Sequence, residues 1–294
     1  MGNHAIIRIV IWSIVLVILV GILAMGLGTF HLPFDRNRTD RDSSGYMESD
    51  PSGAGSYACA FAAADIQDLE IEWVSGKIVL QTDDTADTIR IREDLRGNDQ
   101  YRMVYKQTDN TLSIRFSMDS ISFTGFGFHF GSNLSKDLTI LVPSGWICEE
   151  LEIDTASADL LVRDMSIRRM DFDGASGACD FENSTVDHLD MDTASGEIRF
   201  HGSLDTLDFD AASASFRGEL LNTPRNIKMD SMSGELELTL PEDAGFSVTI
   251  NGMDCSFSSD FSYDMRGSRY IHGNGSCQID VDGMSCDVMI YKGT

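Results

Sequence analysis

The chain has 294 residues, with 47 acidic and 22 basic side chains and a formal net charge of −25. Such a charge excludes nucleic acid as a simple electrostatic partner, because a polyanion repels a polyanion. A 42% hydrophobic content excludes global disorder, and six Cys are too few for a disulfide scaffold.

The first element is an apolar run, Ile9–Leu27, nineteen residues without a charge. A helix of that length spans a bilayer core at 1.5 Å per residue. Residues 1–30 are therefore expected to be a single transmembrane signal-anchor, with Trp12 near one end where an amphipathic ring is favoured. The alternative is a cleaved signal peptide, whose apolar part is normally about 7–15 residues; Ala24-Met25-Gly26 offers a small-x-small site. Arg36, Arg38 and Arg41 lie beyond the run and Arg8 before it, so flanking charge leaves the orientation open. A single N-terminal span before a folded domain usually exports that domain. Residues 31–58 mix Arg, Asp, Ser, Gly and Pro without periodicity and read as a flexible linker.

Residues 59–294 carry a repeat. Eight segments share one pattern: LEIEWVSGKIVL (69–80), LEIDTASADLLV (151–162), MDFDGASGACDF (170–181), LDMDTASGEIRF (189–200), LDFDAASASFRG (207–218), IKMDSMSGELEL (227–238), VTINGMDCSFSS (248–259) and IDVDGMSCDVMI (279–290). Their central residues are Ser75, Ser157, Ser176, Ser195, Ser213, Ser233, Asp254 and Ser285. From Ser157 to Asp254 the steps are 19, 19, 18, 20 and 21 residues. Within each unit the apolar residues alternate, which is strand period. Positions six and four before the central residue and three after it form inward columns. Leu69, Ile71 and Ile78 occupy them in the first unit. Ser followed by Gly or Ala makes the corner.

A unit of about 19 residues cannot bury its own apolar face, but stacked units close a continuous core, each strand pairing the next coil. The fold class expected is all-β: a parallel β-solenoid of about 19 residues per coil, with regular coils over 151–290. The strand-rich insert at 82–145 is expected to form an N-terminal β-sheet cap or a set of larger coils. Residues 260–275 read as a loop before the last unit.

The run KDLTILVP, the φ-x-φ-D-x-x-S-G units and the ending GNGSCQIDVDGMSCDVMI resemble the bacterial putative-adhesin family of β-strand-repeat domains of unknown function. The resemblance covers roughly residues 60–294. It implies an envelope location and no reaction. The six Cys and an aromatic-rich insert depart from the pattern.

Two acidic columns dominate the outward positions. Three before the central residue stand Glu72, Asp154, Asp173, Asp192, Asp210, Asp230 and Asp282; five before stand Glu70, Glu152, Asp171, Asp190, Asp208 and Asp280. Stacked about 5 Å apart, like charges repel by about 1 kcal/mol in water and ~3 kcal/mol at an effective dielectric of 20. The inner column is expected to cap the corner through Asx-type bonds. The alternative is a Ca²⁺ ladder held by Asp154, Asp173, Asp192, Asp210 and Asp230, the one cofactor the pattern suggests.

Cys179 falls in an inward column; Cys255 and Cys286 share a corner position and could pair across adjacent coils, with Cys277 competing, while Cys59 and Cys148 form another candidate pair. The stretch Ile121–Gly131 reads as a strand or loop packed on the solenoid; the alternative is a patch built on Phe126, Phe128 and Phe130 for a partner, glycan or lipid headgroup. No nucleophile elbow, zincin motif, phosphate loop or dinucleotide fingerprint occurs.

These features point to a single-pass protein of the cell membrane, its C-terminal domain extracytoplasmic. It would act as a non-catalytic binding, adhesion or scaffold module for an envelope protein or surface ligand, with no nucleic-acid partner. An accessory or sensor of envelope-stress signalling is the second reading. A polysaccharide-active β-helix enzyme is the third, and the acidic surface opposes it for acidic glycans.

Overall fold

The computed structural model describes residues 45–48, 59–96, 102–116 and 135–293. All of these except Gly45 and Tyr46 belong to one compact unit. The expected anchor Ile9–Leu27, most of the expected linker, and Phe126, Phe128 and Phe130 lie outside the described residues. Among those described, no helix is long and apolar enough to cross a membrane.

The unit is all-β apart from one 3-10 turn, Ala63–Asp65. Its strands in chain order begin with β1 (Met47–Glu48), β2 (Cys59–Ala62), β3 (Asp68–Asp83), β4 (Thr88–Asp94) and β5 (Met103–Thr108). They continue with β6 (Thr111–Phe116), β7 (Lys136–Pro143), β8 (Ile147–Arg163), β9 (Ser166–Gly174) and β10 (Ala178–Leu220). The last five are β11 (Asn226–Leu240), β12 (Phe246–Ser259), β13 (Asp264–Arg266), β14 (Arg269–His272) and β15 (Cys277–Lys292). They form one large, mostly parallel, solenoid-like sheet.

The parallel register matches the repeat. Leu69 pairs with Leu151 and Ser75 with Ser157, so the first two units stack directly although 82 residues separate them in sequence. Asp154, Asp173 and Asp192 follow one another, as do Ser213, Ser233 and Ser285. One-residue slippage would turn every Leu and Ile of a coil outward, so the alternation itself pins the register.

Two features differ from a simple stack in chain order. First, the last repeat does not end the pile: β15 lies between β11 and β12, so unit 248–259 is the terminal coil. The loop at 260–276 makes this feasible, because it folds as the β13–β14 hairpin over the end of the stack and returns the chain one coil inward. Second, the insert supplies both readings at once. β6 and β7 add in parallel to the two limbs of β3, making an outermost coil, while β4, β5, β2 and β1 pair antiparallel beyond them as a sheet cap.

The three expected inward columns are buried, from Leu69, Ile71 and Ile78 to Ile279, Val281 and Val288, except that Ile250 and Phe257 of the terminal coil are half-buried. Two more columns share the core. Five after the central residue lie Leu80, Val162, Phe181, Phe200, Leu238 and Ile290; nine before it lie Ile66, Cys148, Ile167, Val186 and Leu204. Phe181 and Phe200 pack with ring centroids 5.1 Å apart. A buried aromatic or branched side chain contributes ~1.5–3 kcal/mol on leaving water, and in a stack each such contribution recurs per coil.

The corner requires Gly where coils approach most closely. Gly76 has φ +113, and a Cβ there would lie 1.9 Å from the Lys136 carbonyl oxygen. At the far corner Asp164 and Asn183 take left-handed φ values of 54 and 50, conformations these residues tolerate.

Candidate functional site

The outward face of the first limb carries the acidic columns. Parallel pairing sets Asp154 on Asp173 on Asp192, and Asp210 on Asp230 on Asp282. The outer column runs beside it, with Glu70 on Glu152 on Asp171 on Asp190. At the head, Arg115 on β6 contacts Glu72 at 3.1 Å and Glu70 at 3.6 Å. Near the tail, Lys228 replaces an acid in the outer column and bridges Asp208 at 3.1 Å and Asp230 at 2.9 Å. At the terminal coil the columns end on neutral side chains, Asn251 beside Asp282 and Thr249 beside Asp280.

The electrostatics follow from this stacking. Burial and the flanking carboxylates Asp192 and Asp154 push the Asp173 carboxyl up to about 6. Asp210 is also pushed to about 6, by burial first, with Lys228 opposing and Asp230 and Asp192 adding to the rise. Asp190 and Asp192 are raised for the same reasons, burial leading and neighbouring carboxylates following. Burial disfavours the Lys228 ammonium, but its hydrogen bonds to Asp230 and Asp208 outweigh that and hold it charged. Asp173 and Asp210 therefore take up protons near pH 6, while Lys228 stays charged.

The corner-capping expectation for the inner column does not hold at Asp210 and Asp230. The Oδ1 atoms of Asp210 and Asp230 are buried without a hydrogen-bond partner. Corner amides are satisfied elsewhere: Ala158 N–H donates to Thr155 Oγ1 at 3.0 Å, and Ser195 N–H to the Ala175 carbonyl at 3.2 Å. The reason is geometric, since the strand pleat turns each Asp outward while the corner N–H groups point along the stack. Asp154, Asp173, Asp192, Asp210 and Asp230 thus share one column but supply one carboxylate per coil. Among the described residues no group of three or more His, Cys, Asp or Glu converges to hold a metal ion, whereas Ca²⁺ takes six to eight oxygen ligands around one point.

On the second limb, acidic and basic side chains are interleaved in shared ion pairs. Arg163 meets Glu182 at 2.6 Å, Arg199 meets Asp180 at 3.2 Å, and Arg217 meets Glu197 at 3.4 Å and Glu235 at 3.5 Å. A shallow depression of about 400 Å³ lies among these side chains. Arg163, Arg168 and Arg169 are close in sequence but likewise paired, Arg168 with Asp187 at 3.1 Å and Arg169 with Asp171 at 3.3 Å. They are not a basic patch.

All six cysteines are free thiols. Cys179 and Cys148 are core residues, Cys59 sits on β2 opposite Ile91, and Cys255 and Cys286 are register partners on β12 and β15. Burial pushes the Cys148 and Cys277 thiols up to about 12, so neither is a nucleophile at neutral pH.

Sequence reasoning missed Lys228 and Arg115. Lys228 was visible as the one Lys in the outer column of the repeat, in IKMD; Arg115 was not, because β6 lies outside the repeat pattern.

A parallel, in-register β stack of about 19-residue coils carrying a carboxylate strip defines a repeat-built β module. Within that class the chain belongs to the Toastrack DUF4097 family, whose profile matches residues 145–291, half of the 294 residues. No curated protein matches the sequence. Among solved structures, a putative cell adhesion protein from Clostridium sporogenes is similar at 9% identity, covering 80% of this chain and 97% of its own, with a TM-score of 0.38. A putative adhesin from Bacteroides fragilis is similar at 12% identity, covering 79% and 95%, with a TM-score of 0.45. A putative lipid binding protein from Parabacteroides distasonis is similar at 18% identity, covering 78% and 94%, with a TM-score of 0.33.

Proposed function

We propose that the chain is a non-catalytic binding module of a bacterial cell envelope. The run Ile9–Leu27 tethers it in the membrane, and a β-solenoid of about 19 residues per coil stands outside the cytoplasm. The acidic strip is its contact face, and the partner presents positive charge. The observation that carries this reading is the strip itself: seven inner and six outer acidic positions on one face, outnumbering the Lys228, Arg115 and Arg169 side chains that pair with members of it. On the second limb the carboxylates are interleaved with Arg163, Arg199 and Arg217, whose ion pairs weaken its field relative to that of the strip.

The test has two arms. Protease added to intact and to opened spheroplasts reports topology, and protection of the domain in intact spheroplasts overturns the exported placement. For the contact face, the full chain is bound to immobilised poly-lysine at several salt concentrations and compared with Asp173→Asn/Asp192→Asn/Asp210→Asn. These substitutions remove repulsion, so lost binding cannot arise from unfolding. Weaker binding with a shallower salt dependence supports the strip; unchanged binding refutes it.

A further inference from the structure

The two ends of the stack differ. The head is covered, since β6 pairs β5 and β7 pairs β4, both antiparallel. The tail is not. β12 pairs β15 along its whole length, but on its other edge β14 covers only Phe246–Thr249. Among the described residues no strand pairs the outer edge of 250–259. An open edge with its row of backbone donors and acceptors is a template for another strand.

Three further observations concern this edge. Asn251, Gly252, Met253 and Asp254 are exposed, and the segment Asn251–Ser259 holds one charged residue, Asp254, in a chain of net charge −25. The acidic columns end one coil short of it, on Asn251 and Thr249. Exposed large apolar side chains also collect here: of the seven among the described residues, Met253 (87%), Met284 (53%), Met265 (65%) and Tyr263 (42%) lie in the last two coils and the hairpin. Charged residues are the usual protection of an edge, and this one has a single such residue, Asp254.

We propose that a second copy of this chain pairs edge to edge along β12, tail to tail. In a second copy the coil edges at the head are covered, and the outermost strands β1, β2 and β13 pair over only two, four and three residues, so the longest open edge among the described residues is the same β12, and the contact is isologous about a two-fold axis. The charge pattern permits this. Across a tail-to-tail junction the nearest strip carboxylates, Asp282 and Asp280 of each copy, are separated by three inter-strand steps, ~14 Å at about 4.8 Å each. That exceeds the Debye length of about 8 Å at physiological salt, so the two strips do not oppose one another. Were Asn251 and Thr249 acidic like their counterparts, the separation would fall to a single step and repulsion would hold the copies apart.

The test uses the full chain in detergent micelles or nanodiscs, with mass read by light scattering or sedimentation. Two variants alter exposed edge positions only: Asn251→Asp/Ser258→Asp and Asn251→Lys/Ser258→Lys. Wild type is expected to dimerise, and each variant alone to associate at least roughly tenfold more weakly, since like charges then face each other. A one-to-one mixture of the two is expected to regain dimerisation, a rescue that misfolding cannot produce. Amide exchange in wild type adds a readout without mutation: residues 250–259 gain protection as concentration rises. A wild type that stays monomeric, variants that dimerise as wild type does, or a mixture without rescue overturns the proposal. Exchange protection that appears only with a different protein present would assign the edge to that partner and equally overturns the homotypic contact.

Discussion

Substitution of Lys136 tests how the outermost coil is locked to the stack. The Lys136 ammonium is fully buried, with its side chain 0% exposed, and pairs with Glu93, whose side chain is 4% exposed. It stands 3.9 Å from the Phe116 ring centre and 4.7 Å from that of Trp73. Glu93 also accepts the Met103 N–H, at 2.9 and 3.0 Å to its two oxygens. The Trp73 indole N–H donates to the Lys136 carbonyl at 3.0 Å. One ion pair therefore joins β7, β4, β5 and β3. Burial pulls the Lys136 pKa down more than Glu93 raises it, so desolvation outweighs attraction. In that regime the pair adds little net stability, but breaking it is costly. Lys136→Met leaves the Glu93 charge buried and should cost about 3–5 kcal/mol, or roughly 6–20 °C in Tm at about 2–4 °C per kcal/mol for a domain of this size. Lys136→Met/Glu93→Gln removes that stranded charge while keeping an acceptor for Met103, and should regain most of the loss. Thermal unfolding by circular dichroism on the full chain reads all three. A single variant within about 1 kcal/mol of wild type, or a double variant no better than the single, refutes the reasoning.

The strip fixes a pH dependence. Asp173 and Asp210 have folded pKa values of about 6, above the ordinary carboxylate range, so their contribution to stability is present below pH ~4 and is lost as pH rises through about 6. The Tm should be higher at pH 5 than at pH 7.5, and Asp173→Asn/Asp210→Asn should flatten that slope; a steeper or unchanged slope contradicts the assignment. Lys228→Ala strands Asp230, whose side chain is 10% exposed, and should cost about 1–3 kcal/mol in urea unfolding. Gly76→Ala forces a Cβ into the Lys136 carbonyl at φ +113 and should cost roughly 1–3 kcal/mol or more, whereas Gly145→Ala, at φ +78 with nothing within 4 Å, meets only the backbone preference. Equal losses at the two sites would show that close approach does not matter.

The repeat was legible because each coil repeats the same burial problem. Leu69, Leu151 and Ile227 stand at one offset from the corner Ser, and the structure pairs or stacks them at that offset. The stacking order was not legible. Nothing local in IDVDGMSCDVMI says that it lies inside VTINGMDCSFSS, because both present the same alternating face to either neighbour. What decides is the hairpin 260–276, whose Tyr263 and Tyr270 rings pack on Phe257 and close the end of the core. The outer coil was hidden for a different reason. Its two limbs, TLSIRF and KDLTILVP, are separated in sequence by residues 117–135 where the other coils have a Ser-Gly or its equivalent, so the spacing that marks those coils is lost. At the strip, the columns could be counted from the sequence, but which hydrogen bonds satisfy the corner could not, because Thr155 and the neighbouring carbonyls reach those amides first.

The strip is a cost that this fold did not have to bear. In-register stacking forces like onto like, so any acidic position in the repeat becomes a column of carboxylates about 5 Å apart, each neighbouring pair opposed by about 1–3 kcal/mol depending on exposure. The same backbone accepts neutral residues there: Thr249 and Asn251 occupy the two columns in the terminal coil with the register intact. Packing therefore does not require the acids, and the apolar columns beside them would hold the coils equally well if Asp173, Asp192 and Asp210 were Asn or Thr. Lys228, Arg115 and Arg169 relieve repulsion locally, while Asp173 and Asp192, stacked in the middle of the strip, are both raised by burial first and by neighbouring carboxylates after it. A feature that lowers stability, that the fold does not need, and that runs through successive coils up to the terminal one is what the proposed positively charged partner would account for.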